Sequence, residues 1–253
     1  GSARTLITLG VGLALLATFL LIEGRLARAP LVPLRIFGIR SVAGGNVVVF
    51  CLGASVFAMW YFLSLYLQTV LDYSPIEAGL AFLPMTVSIM VSAQVAGRLT
   101  GRFGPGRVLT AGMALVAVGM VGLSWVPVDG SYAGDVLAPS VITATGLGLT
   151  FVSVTIAATM GVEGREAGLA SGLVNTSRQV GGSIGLALLA TFATQRTADV
   201  AGTMSQAAAL TEGFQRAFLV GAGFAAIGAL ASVLLLVRRA PRPAVPSVES
   251  APR

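Results

Sequence analysis

Asn175, Arg178 and Gln179 fall within one helical turn of each other inside an otherwise apolar run from Gly168 to Thr194. An arginine near the middle of a membrane costs ~2.5–3.5 kcal/mol on insertion scales, so it must meet water, a carbonyl or another polar side chain. The flanking amides can orient its guanidinium toward a cavity. The chemistry on offer is recognition rather than bond breaking. The chain has no histidine, its one cysteine, Cys51, sits in an apolar run without a base, and no run contains two acids. Cys51 reads as a small core residue. No catalytic residue, metal-ligand set or cofactor is therefore expected. The glycines of Gly181-Gly182-Ser183-Ile184-Gly185 lie within an apolar helix rather than after a strand, which excludes a dinucleotide loop.

Other polar residues share this setting: Asn46, Gln94 with Ser88 and Ser92, and Thr143, Thr145, Thr150 and Ser153. Thr143, Gly146, Thr150 and Ser153 recur at helical spacing, as do Asn175, Gln179 and Gly182, so each set forms one stripe. The predicted substrate-cavity residues are Asn46, Gln94, Thr143, Thr150, Ser153, Asn175, Arg178 and Gln179. Two alternatives stand beside this reading. Small and hydroxylated residues also let helices approach, as at Gly168/Gly172 and Gly181/Gly185, with hydroxyls bonding back to their own helix. Arg178 can also snorkel to an interface if its helix begins near Glu163.

The elements that carry these residues are membrane spans. In 253 residues, 55% are apolar and 10% charged, which identifies an all-α polytopic membrane protein. Seven spans are predicted: Thr5–Ile22, Val42–Leu71, Ala78–Ala96, Val108–Val126, Val136–Met160, Gly168–Thr194 and Ala217–Val237. Spans two, three, five and six hold the polar residues and should line a wet space, with four and seven supporting them. Pro30 and Pro33 break the connector after the first span. The division is residues 1–41, one span and a basic connector; 42–239, a six-helix bundle; and 240–253, a proline-rich tail expected to be disordered. The start at Gly1-Ser2 reads as a fragment or a tagged chain.

Arginine supplies every basic residue, and alternate loops take most of it: Arg25, Arg28, Arg35 and Arg40; Arg98, Arg102 and Arg107; Arg165; and Arg238, Arg239, Arg242 and Arg253. This asymmetry places those loops and the C-terminus in the cytoplasm of a cell-membrane protein. The net charge of +6 comes from scattered loop arginines, so nucleic acid is not an expected partner.

Gly97-Arg98-Leu99-Thr100-Gly101-Arg102-Phe103-Gly104-Pro105-Gly106-Arg107 contains G-x-L-x-x-R-x-G-x-x-R, which resembles the second-half copy of the loop signature of major facilitator superfamily transporters. Gly101 replaces the acid of the fuller signature, so charge-paired gating lacks its acid here. Gly97, Arg98, Arg102, Gly104 and Arg107 are assigned to this cytoplasmic gating loop, whose sharp turn calls for positive φ and close backbone approach. The stretch from Tyr66 through Ser74-Pro75-Ile76-Glu77 to Pro84 resembles the fourteen-span drug:proton antiporter branch. Ser74 reads there as a helix cap, Pro75 as first residue and Glu77 as its acid. Gly168-Leu169-Ala170-Ser171-Gly172 through Asn175-Thr176-Ser177-Arg178-Gln179 to Gly185 is similar to the penultimate span of that branch.

The resemblance covers nearly the whole chain but only the branch's eighth to fourteenth spans. It implies one extra span plus a C-terminal six-helix half-bundle built of two inverted three-helix repeats. The implied function is proton-coupled efflux of lipophilic small molecules, with membrane lipid and the N-terminal half of the transporter as partners. The proton-carrying acids would lie in that other half, since Asp72, Glu77, Asp129, Asp135, Asp199 and Glu212 read as outer-loop residues, and Glu23, Glu163 and Glu166 as inner ones. A different class of function is a helical membrane subunit that scaffolds or regulates a partner without transporting.

Overall fold

Apolar runs of this length satisfy their backbone groups in lipid only as helix, and the computed structural model is helical throughout its regular elements. It describes residues 3–26, 34–160, 162 and 166–237, and these contain no β-strand. Arg28, Pro30, Pro33, Glu163, Arg165 and everything from Arg238 onward lie outside the described residues, as does the expected tail. The helices are α1 (Ala3–Leu21), α2 (Arg40–Thr69), α3 (Pro75–Ala81), α4 (Leu83–Phe103), α5 (Pro105–Leu123), α6 (Leu137–Thr159), α7 (Ala167–Val200) and α8 (Gln206–Ser232). Single π-helical turns follow α1 and α8 and precede α6.

Six segments are long and apolar enough to cross a membrane: Leu6–Gly24, Arg40–Thr69, Pro75–Phe103, Pro105–Leu123, Tyr132–Thr159 and Gln206–Val237. The expected sixth span, α7, is absent from that set despite its 34 residues. Its length reaches ~50 Å against a ~30 Å hydrocarbon core. What it lacks is hydropathy, because Asn175, Arg178 and Gln179 interrupt it.

Local chemistry sets the boundaries. Ser74 caps α3 reciprocally with Glu77: its hydroxyl accepts the Glu77 amide at 3.3 Å, and the Glu77 carboxylate accepts the Ser74 amide at 2.8 Å. Pro75 occupies the first turn. The loop expected at Gly97–Arg107 is almost all helix. Gly97 and Gly101 lie within α4 with nothing near their Cα atoms, and Gly104 alone, at φ 82°, separates α4 from α5. Two helices also run further than predicted, so Asp199 lies on α7 and Glu212 on α8 rather than in loops. There Arg196 reaches the Glu212 carboxylate at 2.9 Å.

The bundle packs α2 against α7 and α8, α5 against α6 and α8, and α4 against α6. Exchanging α2, α4 and α5 with α6, α7 and α8 maps these pairings onto one another, the pattern of two three-helix repeats. The core is filled by Leu52, Met59, Leu63, Leu109, Met113, Met120, Leu147 and Phe218, all fully buried. Tyr66, Tyr132 and Gln215 tie the far end together by donating to the carbonyls of Pro127, Ala81 and Val126 at 2.6, 2.6 and 2.8 Å. Helix α1 stands apart, with its described side chains exposed along its length. Arg35 in the short turn before α2 binds Glu166 at the start of α7, 2.5 Å away.

Candidate functional site

The α2–α7 contact positions Arg178, and glycine makes that contact. A Cβ at Gly53 would collide with the Arg178 carbonyl oxygen and stand 3.0 Å from the Gly182 amide. Added carbons at Gly181 and Gly185 would strike the Phe50 carbonyl and Ala54, and one at Gly182 would come 2.8 Å from the Phe57 ring. At Gly53, Gly181 and Gly185 the two backbones therefore approach closely. Gly168 and Gly172, the other expected small-residue pair, have nothing within 4 Å and join no helix contact.

Because α7 turns its glycines inward, its polar residues face outward. Asn175, Gln179 and Ser183 are exposed, while Gly182, expected on their stripe, is buried. Arg178 is half-buried at the edge of this face. Its Nη2 donates to Asn175 Oδ1 at 2.6 Å, and its guanidinium carbon lies 5.2 Å from the centroid of the Phe151 ring on α6, within cation–π range. Its Nε is buried and has no acceptor. The opposing Gly53 lies ~20 Å from the Arg40 end of α2 and ~24 Å from the Thr69 end, so Arg178 sits at mid-bundle depth.

The other predicted residues are distributed differently. Gln94 is exposed on α4, on the same side as Val87 and Val91. Asn46 is buried between α2 and α7, donating to the Val42 carbonyl at 2.8 Å and accepting from the Ser177 hydroxyl at 2.6 Å. Thr143, Thr150 and Ser153 have no exposed surface. Thr143 and Thr150 bond back to the carbonyls of Pro139 and Gly146 at 2.9 and 2.8 Å, against Gly119 and Gly112 of α5. Ser153 lies 3.1 Å from the Thr100 hydroxyl of α4. The α6 stripe exists, but it faces helices α5 and α4, because a row of small residues is where neighbouring helices pack closest. Arg98, Arg102 and Arg107 are exposed around the Gly104 turn.

Three contacts escaped the sequence. Phe151 lies under Arg178 and Ser177 bonds Asn46, each reaching across to a helix distant in the chain. The ring of Phe57 on α2 lies against Gly182 of α7, and Trp60 and Tyr61 follow it on α2, 36% and 48% exposed. Their helical clustering was the signal that could have found them.

Comparison with known proteins gives this geometry a context. The chain is 37% identical to the cephamycin export protein of Amycolatopsis lactamdurans, over 97% of this chain and 50% of that protein. It is 36% identical to the tetracenomycin C resistance and export protein of Streptomyces glaucescens, over 79% of this chain and 37% of the relative. With the puromycin resistance protein of Streptomyces alboniger it shares 34% identity, over 85% and 43% respectively. The chain thus spans half or less of the length of these curated relatives. The major facilitator superfamily profile matches residues 5–186. A multi-pass helical membrane protein with this match and these relatives belongs to the major facilitator superfamily.

Proposed function

We propose that the chain is the C-terminal half of a proton-coupled exporter of lipophilic small molecules, and that it is not an enzyme. In this reading α1 is an extra span in residues 1–41, residues 42–239 form one transporter bundle, and the face carrying Asn175, Arg178, Gln179 and Gln94 lines the substrate path. The supporting observation is Arg178: a guanidinium at mid-bundle depth, held on an open face by Asn175 and Phe151, with no ion pair to a described residue. Asn46, Thr143, Thr150 and Ser153 support that path from behind.

Three export and resistance relatives agree with the direction of transport. Alternating access needs two bundles around a shared site, so the N-terminal half is the partner that completes the cavity. It would also supply the proton carriers, because Asp72, Glu77, Asp129, Asp135, Asp199 and Glu212 lie toward the bundle end opposite Gly104. In this reading the end that carries the arginines near Gly104 faces the cytoplasm, as the positive-inside rule favours, and Gly97, Arg98, Arg102, Gly104 and Arg107 form the gating segment there.

The test is dye efflux by the full-length transporter. Arg178→Ala should keep its membrane expression and melting temperature yet lose most efflux. Arg178→Lys should restore only part of it, because the planar fork is gone. The isolated chain should show no efflux. Near-normal efflux from a well-expressed Arg178→Ala protein would refute the role assigned to this residue.

A further inference from the structure

A second feature lies at the Gly104 end, away from the polar face of α7. Here the first turns of α2 and α5, the end of α6 and the π-helical turn after α8 enclose a cavity of about 520 Å³. Its walls are mostly apolar, with Phe103, Ala157, Met160 and Leu236 among them, and Arg40 and Arg107 also line it. Among the described residues, no acid lines the cavity. Ser41 is already engaged, donating to the Met160 carbonyl at 2.6 Å.

We propose that this cavity binds an anionic phospholipid, with the phosphodiester between Arg40 and Arg107 and the first acyl carbons against Phe103, Ala157, Met160 and Leu236. Two guanidinia with no carboxylate among the described lining residues call for an anion, and guanidinium matches a phosphate bidentately. Helices α2 and α5 both begin at the cavity without a side-chain cap, since Ile39 and Gly104 supply none. Their positive ends add to the field of the two arginines. The apolar walls decide between a free anion and a lipid. A bare phosphate would leave them in contact with water, whereas a lipid covers them with hydrocarbon. The place also suits a lipid, because the cavity opens where membrane-crossing helices end and basic pockets between such helices receive anionic headgroups. This inference requires a membrane protein and does not depend on the proposed transport.

The experiment is native mass spectrometry of the purified, delipidated protein titrated with phosphatidylglycerol and with phosphatidylcholine of the same acyl chains. Phosphatidylglycerol should bind preferentially. Its affinity should fall about 30-fold in Arg40→Gln/Arg107→Gln, the loss expected for two arginines at a lipid surface. The matched pair Arg98→Gln/Arg102→Gln removes equal charge outside the cavity and should stay within about threefold. Arg40→Lys/Arg107→Lys keeps the charge and should stay within about tenfold, so the proposal remains testable if the glutamine pair folds poorly. Equal binding of the two lipids would overturn it, as would equal losses in the two glutamine pairs or a lysine pair as weak as the glutamine pair. Displacement of the lipid by millimolar inorganic phosphate would also overturn it, marking a free-anion site.

Discussion

Gly53→Ala is the sharpest test of how α2 holds α7. The new methyl group would collide with the Arg178 carbonyl oxygen and stand 3.0 Å from the Gly182 amide nitrogen. Both are backbone atoms that no rotamer change can move aside, so the two helices must separate. Overpacking of this kind costs about 1–3 kcal/mol, offset by the ~1 kcal/mol that alanine gains over glycine in a helix. The net loss is about 0–2 kcal/mol, which at ~2–4 °C per kcal/mol for a chain of this size lowers the melting temperature by up to about 8 °C. Gly172→Ala is the matched control: the same helix propensity is gained where nothing lies within 4 Å, so its melting temperature should hold or rise slightly. The assay is size-exclusion chromatography of the detergent-solubilised protein after stepwise heating. If Gly53→Ala melts at or above Gly172→Ala, the close backbone contact does not hold the pair together.

Two further predictions concern topology and packing. In a Cys51→Ala background, Ile76→Cys should react with an impermeant thiol reagent in intact cells and Gly101→Cys should not; the opposite pattern would invert the proposed orientation. Gly101 suits this better than Thr100, whose hydroxyl is buried against Ser153. Tyr66→Phe should lower stability by about 1–2 kcal/mol by leaving the Pro127 carbonyl unmet, and an unchanged melting temperature would show that water replaces the bond.

Six of the seven spans, the Ser74–Glu77 cap and the polar residues within α7 were legible in the sequence because each is a local property of the chain. Hydropathy runs locate helices, and a capping residue with its acid marks a start. The orientation of a stripe is not local. Thr143, Thr150 and Ser153 have the period of a cavity lining and of a packing ridge alike, and only their partners, Gly119 and Gly112 of α5 opposite the threonines and Thr100 of α4 opposite Ser153, show which one it is. The same limit applies to Gly182 and Ser183, adjacent residues of which one is buried and the other exposed. Helix ends were hard to place for a different reason: charged stretches such as those holding Asp199 and Glu212 resemble loops, although both are helical and Glu212 pairs with Arg196 across the two helices. The apparent loop at Gly97–Arg107 reversed that error, since glycine spacing suggested a long turn where one residue suffices.

The polar centre of α7 bears on biogenesis. A segment interrupted by Asn175, Arg178 and Gln179 enters lipid poorly by itself, since its arginine alone costs ~2.5–3.5 kcal/mol at the membrane centre. Asn46 precedes its partner Ser177 by 131 residues. At ~5–20 residues per second, α2 is therefore synthesised several seconds before α7 emerges. By then its glycine groove and Asn46 offer a surface onto which α7 can leave the insertion machinery without facing lipid on every side. Helix α2 would thus act as a template for inserting α7. In a glycosylation-mapped insertion assay, α7 should cross efficiently when α2 is synthesised ahead of it and poorly when it is not; equal insertion in both cases would mean that α7 enters unaided.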